Sequence, residues 1–523
     1  MWLIANAVLN ACKRKWTPSA LVEAAETGNV RTENCDVAIV GGGSAAFEAA
    51  VSARQNGASH VVMLEKAPEE EFGGNARYSH TGFRFVYSGP NDIRDIVPDW
   101  DADEFARFHI PAYTEEIFKN DLNRVTQGRI DSELADFLVR ESNSAVRWMF
   151  ETGIEFEPEK RREIDGKFYF EPGIIVHTVG GGLGQLMSWR QIALNLDVDL
   201  RYRSRVTKFN GDFRRIEGVC VASGDEDYNL NAGAVIVCSG GFQANVEMRA
   251  RYLGANADLM KVRGSKHNTG EILRALLDLG VKPAGHWQGA HATPIDAYAP
   301  DGGTPLRQDG HSNTCNRYDY TQGITVNNLA ERFYDEGENN HSYTYAKTGR
   351  AVLAQPGGTA HQIYDQKGIN LFRLGAEYTD VYQEADTIAE LATKIGIVPA
   401  ALEATIDEFN SACQTNIPFN PGILDGRTTV GLGVPKSNWA NLIDEPPFRA
   451  YTVTGGVTFS FGGVRINTSC EVLDIADQPI PGLYASGDIV GLFFHNYPSC
   501  TGQTRNAVFS REAGKNAAQR ANQ

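Results

Sequence analysis

No apolar stretch of this chain approaches the length that crosses a membrane, no cysteine stands in a CxxC pair or a Cys/His cluster, and positive charge is in deficit. Each absence excludes something. A spanning helix needs about 20 apolar residues in a row, and the first candidate, Trp2-Leu-Ile-Ala-Asn-Ala-Val-Leu9, is far shorter. With no basic residue ahead of it and Lys13-Arg-Lys15 behind it, it is a poor secretory signal. We expect an N-terminal helix lying on the protein. Peripheral membrane attachment is the other reading, because Trp, Ile and Leu followed by a basic run is an interfacial pattern. The eight cysteines, Cys12, Cys35, Cys220, Cys238, Cys315, Cys413, Cys470 and Cys500, are scattered, so a reducing, cytoplasmic setting is expected and no zinc or iron–sulfur centre. With 49 Lys and Arg against 65 Asp and Glu the net charge is −16, which disfavours nucleic acid as a partner. A local cluster of cations can still serve an anionic small molecule.

What is abundant is glycine, 53 residues with no collagen-like period and no low-complexity tract. That usage fits many tight turns and close backbone approaches. At 523 residues the chain exceeds a single core, so two domains are expected.

The most informative stretch is Val37-Ala-Ile-Val-Gly41-Gly-Gly43-Ser-Ala-Ala46, followed after one helix's length by Val61-Val-Met-Leu-Glu65. It has the pattern of a nucleotide-binding βαβ start. Gly41 allows the tight turn out of the strand, Gly43 removes a side chain where a pyrophosphate approaches the backbone, and Ala46 is small enough for close helix packing. Glu65 stands where an acidic side chain accepts hydrogen bonds from a ribose. A second buried strand, Ala234-Val-Ile-Val-Cys-Ser-Gly-Gly241, follows short strands at Val206 and Ile216–Val221, and Gly482-Leu-Tyr-Ala-Ser-Gly-Asp488 is another strand running into a Gly-acid turn. Thr501 opens a closing helix. Between them, from Trp287 to Thr458, strand signals thin out and amphipathic helices appear at Thr387–Lys394 and Pro399–Ile406. We therefore expect an α/β protein, a discontinuous Rossmann-like dinucleotide domain with an inserted α+β cap. The divisions are 1–33 for an N-terminal extension, 34–286 and 459–523 for the two parts of the nucleotide-binding domain, and 287–458 for the cap.

Taken together these motifs resemble the flavoprotein subunit family of succinate dehydrogenase and fumarate reductase, from Asn34 to Gln519. The resemblance rests on a series in the family's order: Glu65-Lys66, Gly73-Gly-Asn75-Ala76, Ser239–Asn245, Asn268-Thr-Gly-Glu271, Val326-Asn327, Glu331-Arg-Phe333 with Asp335-Glu336, and Ala485–Asp488. It implies FAD as cofactor. By position Ala45, Glu65, Asn75, Ala76, Thr81, Gly82, Val206, Glu271, Asp488, Gly502 and Gln503 would contact it, with Gly41, Gly43, Ala46, Lys66, Gly74, Ser239 and Gly240 completing the site. Glu271 stands where the family usually has Asp. Covalently flavinylated members attach FAD to a histidine in a tripeptide like Ser79-His80-Thr81, but their register falls on Asn75 here, so the FAD is expected to be non-covalent and His80 to lie near the reactive edge of the flavin. Within the family the phrases Val262-Arg-Gly264, Gly289-Ala-His291, Tyr343-Thr-Tyr-Ala-Lys347, Thr458–Gly463 and Asn496-Tyr-Pro498 resemble bacterial tricarballylate dehydrogenases, which oxidise a carbon–carbon bond in a tricarboxylate.

The departures from the family bear on chemistry. Asn340-His341 holds the place of the proton-transferring arginine of fumarate reductases, Phe459 that of a histidine, and Tyr497 that of an arginine beside the flavin. The reductases' Glu–Arg proton relay has no match around Asn316–Asp319. Removing two hydrogens from adjacent carbons needs a hydride acceptor and a base. His341 is expected as the base, since imidazole, with a reference pKa of about 6.5, takes a proton near neutral pH. Tyr343 and Tyr345 compete for that role. His291 is expected against the substrate, and Arg505 is a candidate clamp for a carboxylate. Arg332 is expected to pair structurally with Glu336. The leading expectation is an FAD-dependent dehydrogenase acting on a CH–CH bond next to a carboxylate or carbonyl. Tyr497-Pro498 also resembles the Tyr-Pro of 3-ketosteroid dehydrogenases, which points to a desaturase of a neutral ketone. A redox-neutral isomerase and a non-catalytic flavin-binding or electron-transfer subunit are the other readings. The sequence leaves the electron acceptor open.

Overall fold

The apolar run Val37–Val40 is buried because parallel neighbours flank it in the sheet and the helices Ser44–Gln55 and Thr501–Ala521 pack against it. It forms the inner end of β1 (Arg31–Val40), which leads through the glycine turn into α1 (Ser44–Gln55) and then β2 (Val61–Leu64). The computed structural model describes residues 31–159, 162–164, 166–169, 173–224, 226–301, 315–372 and 381–523. The expected N-terminal helix therefore lies outside the described residues. Among the described residues β1 and β2 belong to an eight-stranded sheet whose main path runs 471–473, 479–485, 226–237, β1, β2, 199–201. Strands Ser204–Asp212 and Arg215–Ser223 extend antiparallel from Glu226–Val237, the three-stranded excursion expected around Val206 and Ile216. No helix among the described residues is long and apolar enough to cross a membrane.

The C-terminal helix Thr501–Ala521 closes this domain against α1. Their contact is close because it is built from small residues: Gly514 faces the backbone of Ala49 and Ala53, and the Ser52 hydroxyl donates to the Arg511 carbonyl at 2.6 Å. A second group packs helices Glu115–Thr126 and Ser132–Thr152 beside a small sheet of Gly82–Arg84, Ile174–Thr178 and Phe156–Pro158.

The block from 287 to 458 holds more strand than its sequence signals indicate. Ala290–Asp296, Ile324–Asn327, Thr359–Tyr364, Gln383–Ala385 and Phe448–Ser460 join Lys261–Val262 in a six-stranded sheet among the described residues. Ala290-His-Ala-Thr-Pro-Ile-Asp296 is buried at every position, but alanine and proline are poor strand formers, so its composition does not mark it as a strand. Its helices are where the periodicity puts them. Thr387 caps Ile388–Ile395 by accepting from Glu390 N–H at 3.2 Å, and Gly396 ends it at φ +78°. Pro399 occupies the first turn of Pro399–Ala412. These helices and the sheet share a core of their own, from Ile324 to Ala450, separate from the main one. We propose that the inserted domain is the unit built on this second core, with the strand Phe448–Ser460 crossing the expected division at 458.

The α1 contact is testable. A Cβ at Gly514 would run into the Ala49 carbonyl, so Gly514→Val should lower stability by roughly 1–3 kcal/mol or more through overpacking. Thermal unfolding against wild type checks this, and an unchanged midpoint would contradict the close packing described.

Candidate active site

At the carboxyl ends of β1 and β2 the chain forms a cleft of about 940 Å³ counted out to its mouth. Its shape comes from glycines doing different work. Gly41 sits at φ +128°, and a Cβ there would collide with the Cys238 carbonyl, so only glycine fits. A Cβ on Gly42 would strike the Glu65 carboxylate. Gly43 has ordinary backbone angles, φ −84° and ψ −178°, and a Cβ there would lie 3.5 Å from its nearest neighbour, the Gly73 carbonyl. Opposite, a Cβ on Gly74 would be 3.9 Å from the Gly43 α-carbon. The two glycines face each other across a slot that side chains would fill. Gly43 caps α1 without a side chain and the first turn has no acidic residue, so the helix's positive end and its first N–H groups serve the slot. A pyrophosphate fits this cradle.

The ribose end is also built. Glu65 is buried, burial raises the pKa of its carboxyl, and one oxygen accepts from Ala67 N–H at 2.6 Å. Lys66 Nζ lies 3.1 Å from Glu271 and 2.6 Å from the Thr269 hydroxyl. Burial opposes ionisation of Glu271, but hydrogen bonds from Thr269 and Lys66 outweigh it and hold the carboxyl below its usual range. Of the expected contacts, Gly41, Gly43, Ala45, Glu65, Lys66, Gly74 and Asn75 line the cleft, as do Ala76, Val206, Ser239, Gly240, Glu271 and Asp488. Ala46 is buried beneath it. Thr81, Gly82, Gly502 and Gln503 gather elsewhere, around Ser79: Gln503 Nε2 donates to the Ser79 hydroxyl at 3.0 Å, and Thr178 donates to the Thr81 hydroxyl at 2.7 Å. Asn75 is fully engaged, its Nδ2 donating to the Thr458 carbonyl and its Oδ1 accepting from Ser265 N–H at 2.9 Å and Asn268 Nδ2 at 3.0 Å. Sequence reasoning missed Gly42, Arg205, Ser265, His267 and Asn506 in the lining. It also missed Glu48, a buried carboxyl on α1 whose pKa desolvation pushes up to about 8. A run of small residues around it hid both its charge and its burial.

Beyond this cleft, joined to it by the hydrogen bond from Asn75 to the Thr458 carbonyl next to Phe459, lies a cluster of aromatic side chains that we propose as the wall of a substrate pocket. Its centre is His291, 1 % exposed, with rings of Tyr345, Tyr497 and Phe459 at centroid distances of 4.7, 5.0 and 5.1 Å. Burial, reinforced by the charge of Arg263, lowers the His291 pKa well below its ordinary value, and Nδ1 has no hydrogen-bond partner among the described residues. The Tyr345 hydroxyl donates to the Tyr497 hydroxyl at 3.1 Å and lies 3.3 Å from the Ser499 hydroxyl. Burial raises the pKa of both phenols. His341, in the short helix His341–Tyr343, stands beside this group, its ring 5.9 Å from Tyr318 and 6.1 Å from Tyr345. Its Nδ1 is 3.0 Å from Asn340 Oδ1.

Three expected residues take other places. Tyr343 turns away from the pocket: its hydroxyl donates to Asp121 at 3.0 Å and accepts from the buried Arg84 at 3.2 Å. A tight helical turn puts positions two apart on different faces, so Tyr345 instead of Tyr343 faces His291. Arg505 is buried in an ion pair with Asp488, its guanidinium 5.6 and 5.4 Å from the ring centroids of Phe459 and Phe493. That charge is already neutralised. His80 stands 2.8 Å from Glu159 with its side chain 41 % exposed, outside the residues that line the cleft. Arg332 does pair with the buried Glu336, and Arg317, near the expected relay position, pairs with Asp296.

Two outcomes test the cleft. Gly43→Val should fold and lose its flavin, because the protein itself leaves room there, whereas Gly41→Val should fail to fold. Flavin absorbance per folded chain checks both, and full flavin in Gly43→Val would misplace the cofactor. Acid precipitation of the wild type should release all the yellow chromophore, since Asn75 offers no nucleophile.

The FAD binding domain model matches residues 36–503. A probable fumarate reductase, Ifc3, of Shewanella frigidimarina is 27 % identical over 94 % of this chain and 76 % of its own length. A vinyl phenol reductase of Lactiplantibacillus plantarum is 25 % identical over 93 % of this chain and 97 % of its own. In fold, the 3-ketosteroid Δ1-dehydrogenase of Sterolibacterium denitrificans superposes with a TM-score of 0.71 at 18 % identity, over 93 % of this chain and 99 % of that one. A glycine cradle for pyrophosphate, an acidic side chain at the ribose end and a match that runs through both halves of the nucleotide domain lead to one conclusion: the chain belongs to the FAD-binding domain family, the succinate dehydrogenase and fumarate reductase flavoproteins that its motifs resemble.

Proposed function

We propose that this protein is an FAD-dependent oxidoreductase that makes or removes a carbon–carbon double bond next to a carbonyl or carboxylate. The observation that carries the reading is the hydrogen-bonded pair Tyr345 and Tyr497 facing the buried His291. FAD, when bound, supplies the acceptor for a hydride leaving one carbon. Loss of a proton from the neighbouring carbon places negative charge on the carbonyl oxygen, and the tyrosine pair answers it. The Tyr497 oxygen accepts from Tyr345 and from Cys500 N–H, and its own proton has no acceptor among the described residues. Because burial keeps both phenols protonated, they act as donors and not as bases.

The base in this reading is His341. The Asn340 oxygen beside Nδ1 favours the tautomer protonated there. His291 stays neutral and positions the substrate. The rings of Phe459, Tyr345, Tyr497 and Tyr318 and the neutralised Arg505 support a flat substrate with one polar end, in preference to a tricarballylate-like polyanion. Arg263 donates to Asn316 and Thr458 at this group. The relatives named above, which include reductases of a vinyl phenol and of fumarate, support a carbon–carbon double bond as the reacting group.

Anaerobic mixing with saturated ketones, aryl-substituted carboxylates and polycarboxylates should bleach the flavin with the first two groups in preference to the third. Tyr497→Phe should slow that bleaching by roughly 10²–10³-fold, the cost of one donor to a developing oxyanion. His341→Gln should slow it by roughly 10²–10⁴-fold with flavin content unchanged. Wild-type rates in Tyr497→Phe would refute carbonyl activation by the pair, and wild-type rates in His341→Gln would remove that residue from the chemistry.

A further inference from the structure

Outside the residues that line the cleft and the aromatic cluster, ligand atoms from three segments meet: His80, Glu159 and His177, all within 4.8 Å of one another. Their backbone supports hold them in register. His177 lies in the strand Ile174–Thr178, paired on one side with Gly82, two residues beyond His80, and on the other with Glu157, two residues before Glu159. The imidazole of His80 lies 2.8 Å from a Glu159 oxygen, and the two histidine rings are 5.0 Å apart at 32°. A second carboxylate, Glu157, reaches to 3.6 Å from His177 Nδ1.

We propose that His80, Glu159 and His177 bind one divalent transition-metal ion of the zinc type. Two imidazoles and a carboxylate are a zinc donor set, whereas magnesium and calcium require oxygen ligands. Ligands on a tetrahedral zinc at bonds near 2.1 Å stand roughly 3.4 Å apart. A group spread over at most 4.8 Å thus has little more than a side-chain torsion to close. The buried partners, Glu159 at 6 % and His177 at 12 % side-chain exposure, provide the fixed part of the site. His80, at 41 %, provides the movable ligand and the path from solvent. Glu157 or water would complete the shell. Such an ion would fasten the segment Ser79–Gly82 to the strand Ile174–Thr178, and with it Thr81 and Gly82. It would act as a clamp within the first part of the nucleotide-binding domain, with no step of the redox chemistry passing through it.

The test uses the full flavin-loaded chain titrated with zinc chloride by calorimetry, with metal content measured after gel filtration. Wild type should take up one zinc equivalent that both H177N and the double variant H80N/H177N lack. Loss of groups that merely support a metal ligand costs roughly 10–100-fold in affinity, so loss of a ligand should cost at least roughly 100-fold. Zinc held by the cysteines stays in all the variants and cancels in the difference. Should H177N lose its fold, judged by flavin absorbance and circular dichroism, E159Q removes the charge at nearly constant volume and should show the same loss. Magnesium chloride should give no specific heat. Equal zinc content and affinity in wild type, H177N and E159Q would overturn the proposal, as would a wild type that takes up none.

Discussion

The contact on which the two sites jointly depend is the buried ion pair of Arg505 and Asp488. Arg505 belongs to the C-terminal helix, Asp488 lies at the mouth of the flavin cleft, and the guanidinium is wedged beside Phe459 and Phe493 of the aromatic pocket. One charged group therefore ties together the closing helix, the Gly-acid turn and the strand Phe448–Ser460. A buried pair of this kind adds little net stability over an apolar contact, but removing either partner leaves an uncompensated charge in the interior. Its use here is geometrical. It holds the apolar pocket against the cleft and spends a cation that would otherwise draw anions to that wall.

With that charge neutralised, the pocket we propose for the substrate offers polarity of a milder kind. Neutral phenols donate, a neutral imidazole fills, and aromatic faces set the shape. In such a dry surrounding a hydrogen bond to developing negative charge counts for more than it does in water. The second network, Arg84 with Tyr113, Asp121 and Tyr343, lies behind the pocket. It takes up the hydroxyl of Tyr343, and that is why the neighbouring Tyr345 is the phenol left to face His291.

Local pattern made much of this legible. The strand ending at Gly41, the acidic Glu65, the capping pair Thr387 and Glu390, and Pro399 at a helix start all act within a few residues of themselves. Their physics is short-ranged, so the residue order carries it. The strand Ala290–Asp296 was hidden for the opposite reason. Its alanines and Pro294 are poor strand formers, and only pairing with distant segments makes it a strand.

The sequence by itself determined the flavin-binding βαβ start, the discontinuous nucleotide domain and the family, because spacing along the chain encodes backbone geometry that hardly depends on the rest of the molecule. Only the tertiary structure decided what each polar side chain meets. Arg505 meets Asp488, Tyr343 meets Asp121, Tyr345 meets Tyr497, and His80 meets Glu159 and His177. Each of these partners lies tens to hundreds of residues away in the chain, except the Asp488 of Arg505. Whether a charge is free, neutralised or gathered with other ligands is a property of the three-dimensional neighbourhood, and no local pattern contains it.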